Sequence, residues 1–349
     1  MTSAQDPRDA LGVFAISGAL PECRRIAGGH INETWRAGSW ILQRLNPEVF
    51  PQGRLVMENV LTVTRRLAHR HAPTLELVPT RDGGWWHTAR DGAIWRLYAF
   101  IGGGTLETAP TPAHAEHTAQ AFGTFSRSLS DPPLHLHLTL PAFHDTRRRL
   151  AALEAAALRD RCGRAGASRP EIATLLGEHA LAAMIPGLLE AGELPVRPAH
   201  NDAKIANVIF DHGSAKPLAI IDLDTTMPGS PLHDFGDLIR SMVSAMSEDG
   251  RGDGTLQVRD EYFRAIVRGF LTGIGGVLSS RERGLLVTAA RATALEQAAR
   301  FLTDHLDGDR YYAVAAPDQN LARARMQLAL FRGLSADADR LESLVARAG

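Results

Sequence analysis

The run His200-Asn201-Asp202-Ala203-Lys204-Ile205-Ala206-Asn207 is followed by Val208-Ile209-Phe210-Asp211 and then by Leu218-Ala219-Ile220-Ile221-Asp222-Leu223-Asp224. Its two apolar runs read as a strand pair inside a β-like island over about residues 198–224. Asp202 and Asn207 lie five residues apart in the loop that enters the first strand, and Asp222 ends the second.

Phosphoryl transfer from a nucleotide needs a carboxylate to accept or orient the proton of the acceptor hydroxyl. It also needs a carboxamide oxygen and a second carboxylate to hold magnesium, and a cation to meet charge on the moving group. Asp202 fits the first role, Asn207 and Asp222 the metal roles, and Lys204 the last. The order D-x-K-x-x-N is that of the protein-kinase catalytic loop. Any one of these residues alone reads as a polar turn residue of a β-hairpin; the full set with both strands in place does not. Asp234-Phe235-Gly236 spells a kinase tripeptide, but it begins 32 residues after Asp202, past a Pro-Gly turn and at a helix start. Asp222, 20 residues after Asp202, suits the metal better, and Asp234 reads as a helix N-cap or an anchor for the catalytic loop.

Upstream, short apolar runs alternate with turn residues. Trp40–Leu45, Leu75–Pro79, Gly84–Thr88 and Ala93–Phe100 read as strands, with hairpin turns at Arg81–Gly84 and Arg90–Gly92. Leu55, Val56, Val60, Val63 and Leu67 recur at near-helical spacing within Gly53–His71. Gly102-Gly103-Gly104 reads as a hinge. Beyond Pro112 the periodicity predicts helices over about 112–130, 142–160, 171–192, 233–247, 260–274, 281–305 and 318–333. The expected fold class is α+β. A small β-rich lobe over 1–101 precedes a larger, mainly helical lobe over 102–349 that carries the catalytic loop. Glu248–Gly254 fails calcium-loop spacing and reads as a solvated loop.

The chain has 349 residues and a formal net charge of −1, which gives no support for a nucleic-acid partner. Of its 38 basic residues only Lys204 and Lys216 are lysine, a bias that fits a GC-rich genome and draws attention to each lysine retained. Cys23 and Cys162 stand in no metal or redox spacing, which suits a reducing compartment. The N-terminus lacks the features of a signal peptide, and no stretch approaches the ~18 apolar residues of a membrane span. A cytoplasmic, monomeric protein with no membrane partner is expected.

The island resembles the aminoglycoside phosphotransferase and choline kinase superfamily, and within it the bacterial N-acetylhexosamine 1-kinases. The resemblance extends through GGHINETW (28–35), ILQRLNPEVF (41–50), MENV (57–60), VPTRDGG (78–84), WRLYAFI (95–101), AHNDAKIANVIFD (199–211), IDLDTTMPG (221–229), DFGDLIR (234–240) and RFLTDHLDGDRYY (300–312). It implies a bilobal protein-kinase-like fold and ATP- and Mg2+-dependent phosphorylation of the C1 hydroxyl of a small sugar, an N-acetylhexosamine. It makes Asp202 the catalytic base and Asn207 with Asp222 the Mg2+ ligands. It places the sugar between the GGHIN turn (28–32) and the catalytic loop, near His30, Asn32 and Asp224, with Arg300 and Tyr311 reaching it from the C-terminal helices. The stretch Arg96–Ile101, with Tyr98 and Phe100, would offer backbone groups to adenine.

One departure stands out. Where the superfamily presents a phosphate-binding lysine on a strand, this chain reads Ile41-Leu42-Gln43-Arg44. Either Arg44 serves, with Glu58 as its natural helix partner, or nucleotide affinity depends more on Lys204 and magnesium. The alternatives are an aminoglycoside or other small-alcohol acceptor and a nucleotide-binding regulator without catalysis. A metal hydrolase built on His200 and Asp202 is weaker, since no further His/Asp pair shows ligand spacing.

Overall fold

Alternating apolar runs before residue 101 fold into one antiparallel sheet. The computed structural model describes residues 6–26, 31–244 and 256–348. Strands β1 (Cys23–Arg25), β2 (Glu33–Ala37), β3 (Trp40–Arg44), β4 (His87–Thr88) and β5 (Ile94–Ala99) lie in the order β1-β2-β3-β5-β4. Side chains alternate across a strand, so the sheet has two unlike faces. Leu42, Trp95 and Leu97 face an outer cluster with Trp35 and with Leu11 of α1 (Pro7–Leu11). Ile41, Gln43, Arg96 and Tyr98 share the opposite face, toward α2 (Gly53–His69). The expected strand at Leu75–Pro79 is only partly formed. Its main chain bonds to β5 (Val78 N–H to Leu97 O, 2.8 Å; Ala99 N–H to Glu76 O, 2.9 Å), but proline at 73 and 79 removes the donors that would extend the ladder.

The helical part contains α3 (Pro112–Ser130), α4 (Thr146–Arg159), α5 (Arg169–Leu176) and α6 (His179–Glu190). Four short strands follow: β6 (Arg197–Ala199), β7 (Val208–Phe210), β8 (Pro217–Ile220) and β9 (Met227–Gly229). They form the pairs β6–β9 and β7–β8. Then come α7 (Pro231–Met242), α8 (Asp260–Ile274), α9 (Ser280–Gly284), α10 (Leu286–Asp307), α11 (Gln319–Ala336) and α12 (Ala338–Arg347). The helix expected over 171–192 breaks between α5 and α6, and the one over 281–305 breaks at Leu285. Residues 245–247 of another, and the loop 248–254, lie outside the described residues.

The helix α2 is tied to the larger part. Asn59, buried in mid-helix, donates to His137 O at 2.8 Å and Thr226 O at 3.1 Å, and accepts from His137 N–H at 2.8 Å. Apolar residues of α2 enter the same core as α3, α7, α8 and α10. The glycine segment crosses close to β7, where Gly104 and Phe210 exchange two main-chain hydrogen bonds of 2.8 and 3.0 Å. No single helix among the described residues is long and apolar enough to cross a membrane.

Candidate active site

The catalytic loop leaves β6 and is fixed by buried groups before it reaches Asp202. Asp234, in the first turn of α7, accepts from His200 N–H at 3.0 Å and Asn201 N–H at 2.7 Å. It is therefore the loop's anchor, while Ser230 caps α7. Burial pushes the Asp234 carboxyl up to about 7. His200 lies between Phe122 and Phe125, its Nε2 donating to Ile221 O at 3.0 Å, and burial lowers its pKa. This neutral, enclosed ring ties the loop to the residue before Asp222, which removes it from any metal-hydrolase role.

Asp202 meets Lys204 Nζ at 2.9 Å on one oxygen and Arg240 Nη2 at 3.7 Å on the other. Burial alone would raise the Asp202 carboxyl, but Lys204 and Arg240 hold it well below the usual carboxylate range. It stays ionised and able to accept a hydrogen bond from a hydroxyl. Asn207 ends a 3-10 turn, Ile205–Asn207, and gives its Nδ2 to Asp202 O at 2.8 Å and Oδ2 at 2.9 Å. Its amide oxygen accepts from no protein donor among the described residues. Ile221 N–H donates to Asn207 O at 2.9 Å, which brings Asp222 alongside. Asp222 takes a left-handed backbone (φ 60°), as a non-glycine residue does where local structure demands it. Asp222 is exposed, and desolvation with the charges of Asp224 and Asp202 pushes its carboxyl up to about 7.

No group of three or more His, Cys, Asp or Glu side chains could hold a metal among the described residues. A carboxamide oxygen beside one repelled carboxylate nonetheless fits Mg2+, which keeps several waters and binds through one or two protein groups plus substrate phosphates.

The sheet side departs from expectation at Arg44. Trp40, Leu42 and Arg44 share the outer face by alternation, and Arg44 pairs there with Glu33 at 3.3 Å and Asp91 at 3.1 Å. It does not meet Glu58, which accepts from Arg54 at 3.1 Å and lies 3.0 Å from His137 Nε2. The buried basic residue on the inner face is Arg96, which the sequence reading used only for its backbone. It sits 2% exposed, bonds Asp224 with both terminal nitrogens (Nη2 to Oδ2, 2.9 Å) and gives Nε to Gln43 at 3.0 Å. Asn32 Nδ2 also reaches Asp224 Oδ2, at 2.6 Å. The Asp224 carboxylate is thus taken up by protein donors, a correction to its expected place facing an acceptor. Tyr98 is buried, which raises its phenol, and Phe100 is half-exposed under the Arg36 guanidinium at 3.1 Å. His30 lies outside the described residues.

On the far side of the catalytic loop stand three arginines. Arg240 gives Nε to Asp237 at 2.5 Å. Arg300 lies 5.3 Å from the Phe143 ring and 5.7 Å from that of Tyr312, with Gln297 as an amide partner at 3.4 Å. Arg149 donates Nη2 to Phe143 O at 2.6 Å, while its buried Nε has no partner among the described residues. Burial and the neighbouring Arg300 both disfavour the Arg149 cation. Glu296 is engaged by His144 at 3.1 Å and Thr146 at 3.1 Å. The turn that carries Tyr311 is built by Asp304, whose carboxylate accepts from the N–H groups of Arg310, Tyr311 and Tyr312, each at 2.9 Å. Arg149, Arg240 and Phe143 were missed because only the fold brings them to Arg300 and Asp202; Arg240 had one signal, its place in DFGDLIR.

Most of the chain superposes on solved kinases of small molecules. An aminoglycoside phosphotransferase from Alicyclobacillus acidocaldarius has TM-score 0.62 and 16% identity, covering 97% of this chain and 98% of that one. A microcompartment-associated aminopropanol kinase has TM-score 0.61 and 15% identity over 96% and 97%. An amicoumacin kinase solved with AMP-PNP and Ca2+ has TM-score 0.58 and 10% identity over 89% and 88%. At these identities the likeness is one of fold, the kinase-like arrangement of a small antiparallel sheet and a larger helical part. The sequence itself carries the assignment further: residues 22–270 match the phosphotransferase enzyme family, and the chain belongs to that family.

Proposed function

We propose that this phosphotransferase moves the γ-phosphoryl group of ATP to the anomeric hydroxyl of an N-acetylhexosamine, giving the sugar 1-phosphate and ADP. The observation that carries the choice of acceptor is the charge of the site beyond Asp202. The aminoglycoside and aminopropanol acceptors of the structural neighbours bear amines, and a cation needs free carboxylates or an aromatic cage. Here Arg149, Arg240 and Arg300 line up beyond the loop, and Glu296 and Asp237 are turned to His144 and Arg240. Arg300 already stands against the Phe143 and Tyr312 rings, so those faces are taken by a cation of the protein, and guanidinium donors there suit a neutral ring rich in hydroxyl and carbonyl oxygens. The RFLTDHLDGDRYY stretch that builds this wall is also part of the resemblance to hexosamine 1-kinases.

In this reading Asp202 accepts the C1 hydroxyl proton as the sugar oxygen bonds to the γ-phosphorus. The bond from that phosphorus to the bridging oxygen breaks, and ADP departs with the electron pair. Lys204 meets charge on the transferring group. A divalent cation, Mg2+, would be held by Asn207 and Asp222 and would neutralise polyphosphate charge. The nucleotide and Ca2+ bound to the amicoumacin kinase support this part of the reading.

The test is an ATP-consumption screen over hexosamines, hexoses, aminoglycosides and amino alcohols, with the product analysed by phosphorus–proton correlation NMR. Phosphate coupled to the anomeric proton of N-acetylglucosamine or N-acetylgalactosamine is the expected result. Turnover confined to amine acceptors, or phosphate at another carbon, would overturn it.

A further inference from the structure

We propose that Arg96 is a positioning residue: through Asp224 it sets the Asp222–Asp224 turn, and so the carboxylate of Asp222, for binding of the metal–nucleotide complex. This rests on the assignment of Asn207 and Asp222 as the metal-side donors.

Arg96 lies on β5 between Trp95 and Leu97, inside a strand buried over nearly its whole length. A guanidinium there is costly unless its hydrogen-bonding groups are met. They are met by groups from distant segments. Both terminal nitrogens go to Asp224, 128 residues away, with Nε on Gln43 of β3 and Met57 Sδ of α2 3.7 Å from Nη1. Asp224 in turn receives Asn32, whose Oδ1 accepts from Asn46 N–H at 3.0 Å. Two segments of the sheet side, Arg96 on β5 and Asn32 ahead of β2, thus converge on one carboxylate of the turn. Only Leu223, 1% exposed and packed in the main core, separates that carboxylate from Asp222. With Leu223 seated and Asp224 clamped, Asp222 has little freedom, and its left-handed backbone is held in place.

A merely structural role is the weaker account. Buried ion pairs are often replaceable by apolar groups at no loss of stability, and their best-attested use is to fix one arrangement among several. This pair stands at the seam between the sheet and the metal-side turn, where such fixing has a chemical effect. Partners one shell out from metal donors commonly alter metal affinity or activity by roughly 10–100-fold.

The test measures Mg2+–AMP-PNP binding by titration calorimetry, alongside the Mg2+ concentration for half-maximal turnover and the acceptor KM. Arg96→Met should weaken nucleotide–metal binding and raise the half-activating Mg2+ concentration by about tenfold or more, with acceptor KM changed less than about twofold. Arg96→Lys should recover part of the loss. Asn32→Ala, which spares the Arg96–Asp224 contact, should shift both quantities in the same direction by a smaller factor. If Arg96→Met does not fold, as judged by circular dichroism, Arg96→Lys and Asn32→Ala decide the matter. Binding and half-activation unchanged in both of those folded variants would overturn the proposal. The donor assignment is checked in the same series. Wild-type binding that survives Asp222→Asn would overturn that assignment and the positioning role with it. Binding lost in Asp222→Asn yet untouched by Arg96→Lys and Asn32→Ala would overturn the role of Arg96 alone.

Discussion

Asp202 owes its readiness to two cations, and that makes its own contribution separable from theirs. On the proposed mechanism Asp202→Asn removes the proton acceptor while leaving a side chain of the same size, so turnover should fall by about 100-fold or more with acceptor binding retained by calorimetry. The two lysines offer a sharper contrast. Lys204 is paired to Asp202 within the site, whereas Lys216 sits exposed in the turn before β8. Lys204→Arg should lower kcat by roughly tenfold, because a planar fork cannot replace a compact ammonium. Lys216→Arg should leave steady-state kinetics unchanged. The grouping of Asp202, Lys204 and Asn207 was legible because they crowd into one loop, and that of Asp222 because the paired strands return it beside Asn207. The Arg96–Asp224 clamp was not, because nothing local links residues 128 apart. Arg44 was misplaced by one position on a strand: alternation puts Gln43, not Arg44, on the inner face.

Elements carry their own tests. The α3–α8 contact brings backbones together at glycine: a Cβ on Gly269 would lie 2.1 Å from Glu116 O, and one on Gly273 would lie 2.3 Å from Gln120 O. Gly269→Ala must push the helices apart and should cost about 1–3 kcal/mol or more, read as a lower urea midpoint. The tie between the segment ahead of α4 and α10 depends on pH. Burial pushes Glu296 up, but His144 together with Arg300 and Arg149 holds it down at about 2, below its ordinary 4.5, so its contribution is lost as pH falls from 4.5 toward 2. His144 is raised above its ordinary 6.5 because Glu296 outweighs burial, so its contribution is lost as pH rises through that higher value. The pair therefore stabilises most between 4.5 and 6.5. The Tm deficit of Glu296→Gln should be larger at about pH 5.5 than at about pH 8.5. Helical periodicity showed the long helices of the larger part, and their breaks at Gly177–Glu178 and Leu285 escaped it because no proline marks either. β9 escaped because three residues give too short a period to read.

At the scale of the whole molecule, the cleft joins parts that the chain visits far apart. A ligand held from both sides should stabilise them together, so Mg2+ and ATP at about 100 times their Kd should add about 2.7 kcal/mol to unfolding. Calorimetric scans should show a larger rise in Tm for the two together than for the sum of each alone, and Asp222→Asn should abolish the excess. The α+β outline was legible because turn-rich apolar runs give way to long helical periods, whereas the allegiance of α2 was not. By sequence it belongs among the strands; by packing, Val56, Met57, Val60, Val63 and Leu67 share one apolar cluster with Phe122, Phe235 and Leu302. A gene cut after residue 101 would leave each product with a raw oily surface. Expressed singly, both should aggregate. Expressed together, they should reassemble in the manner of a split reporter, with restored phosphotransfer as the readout of their reunion.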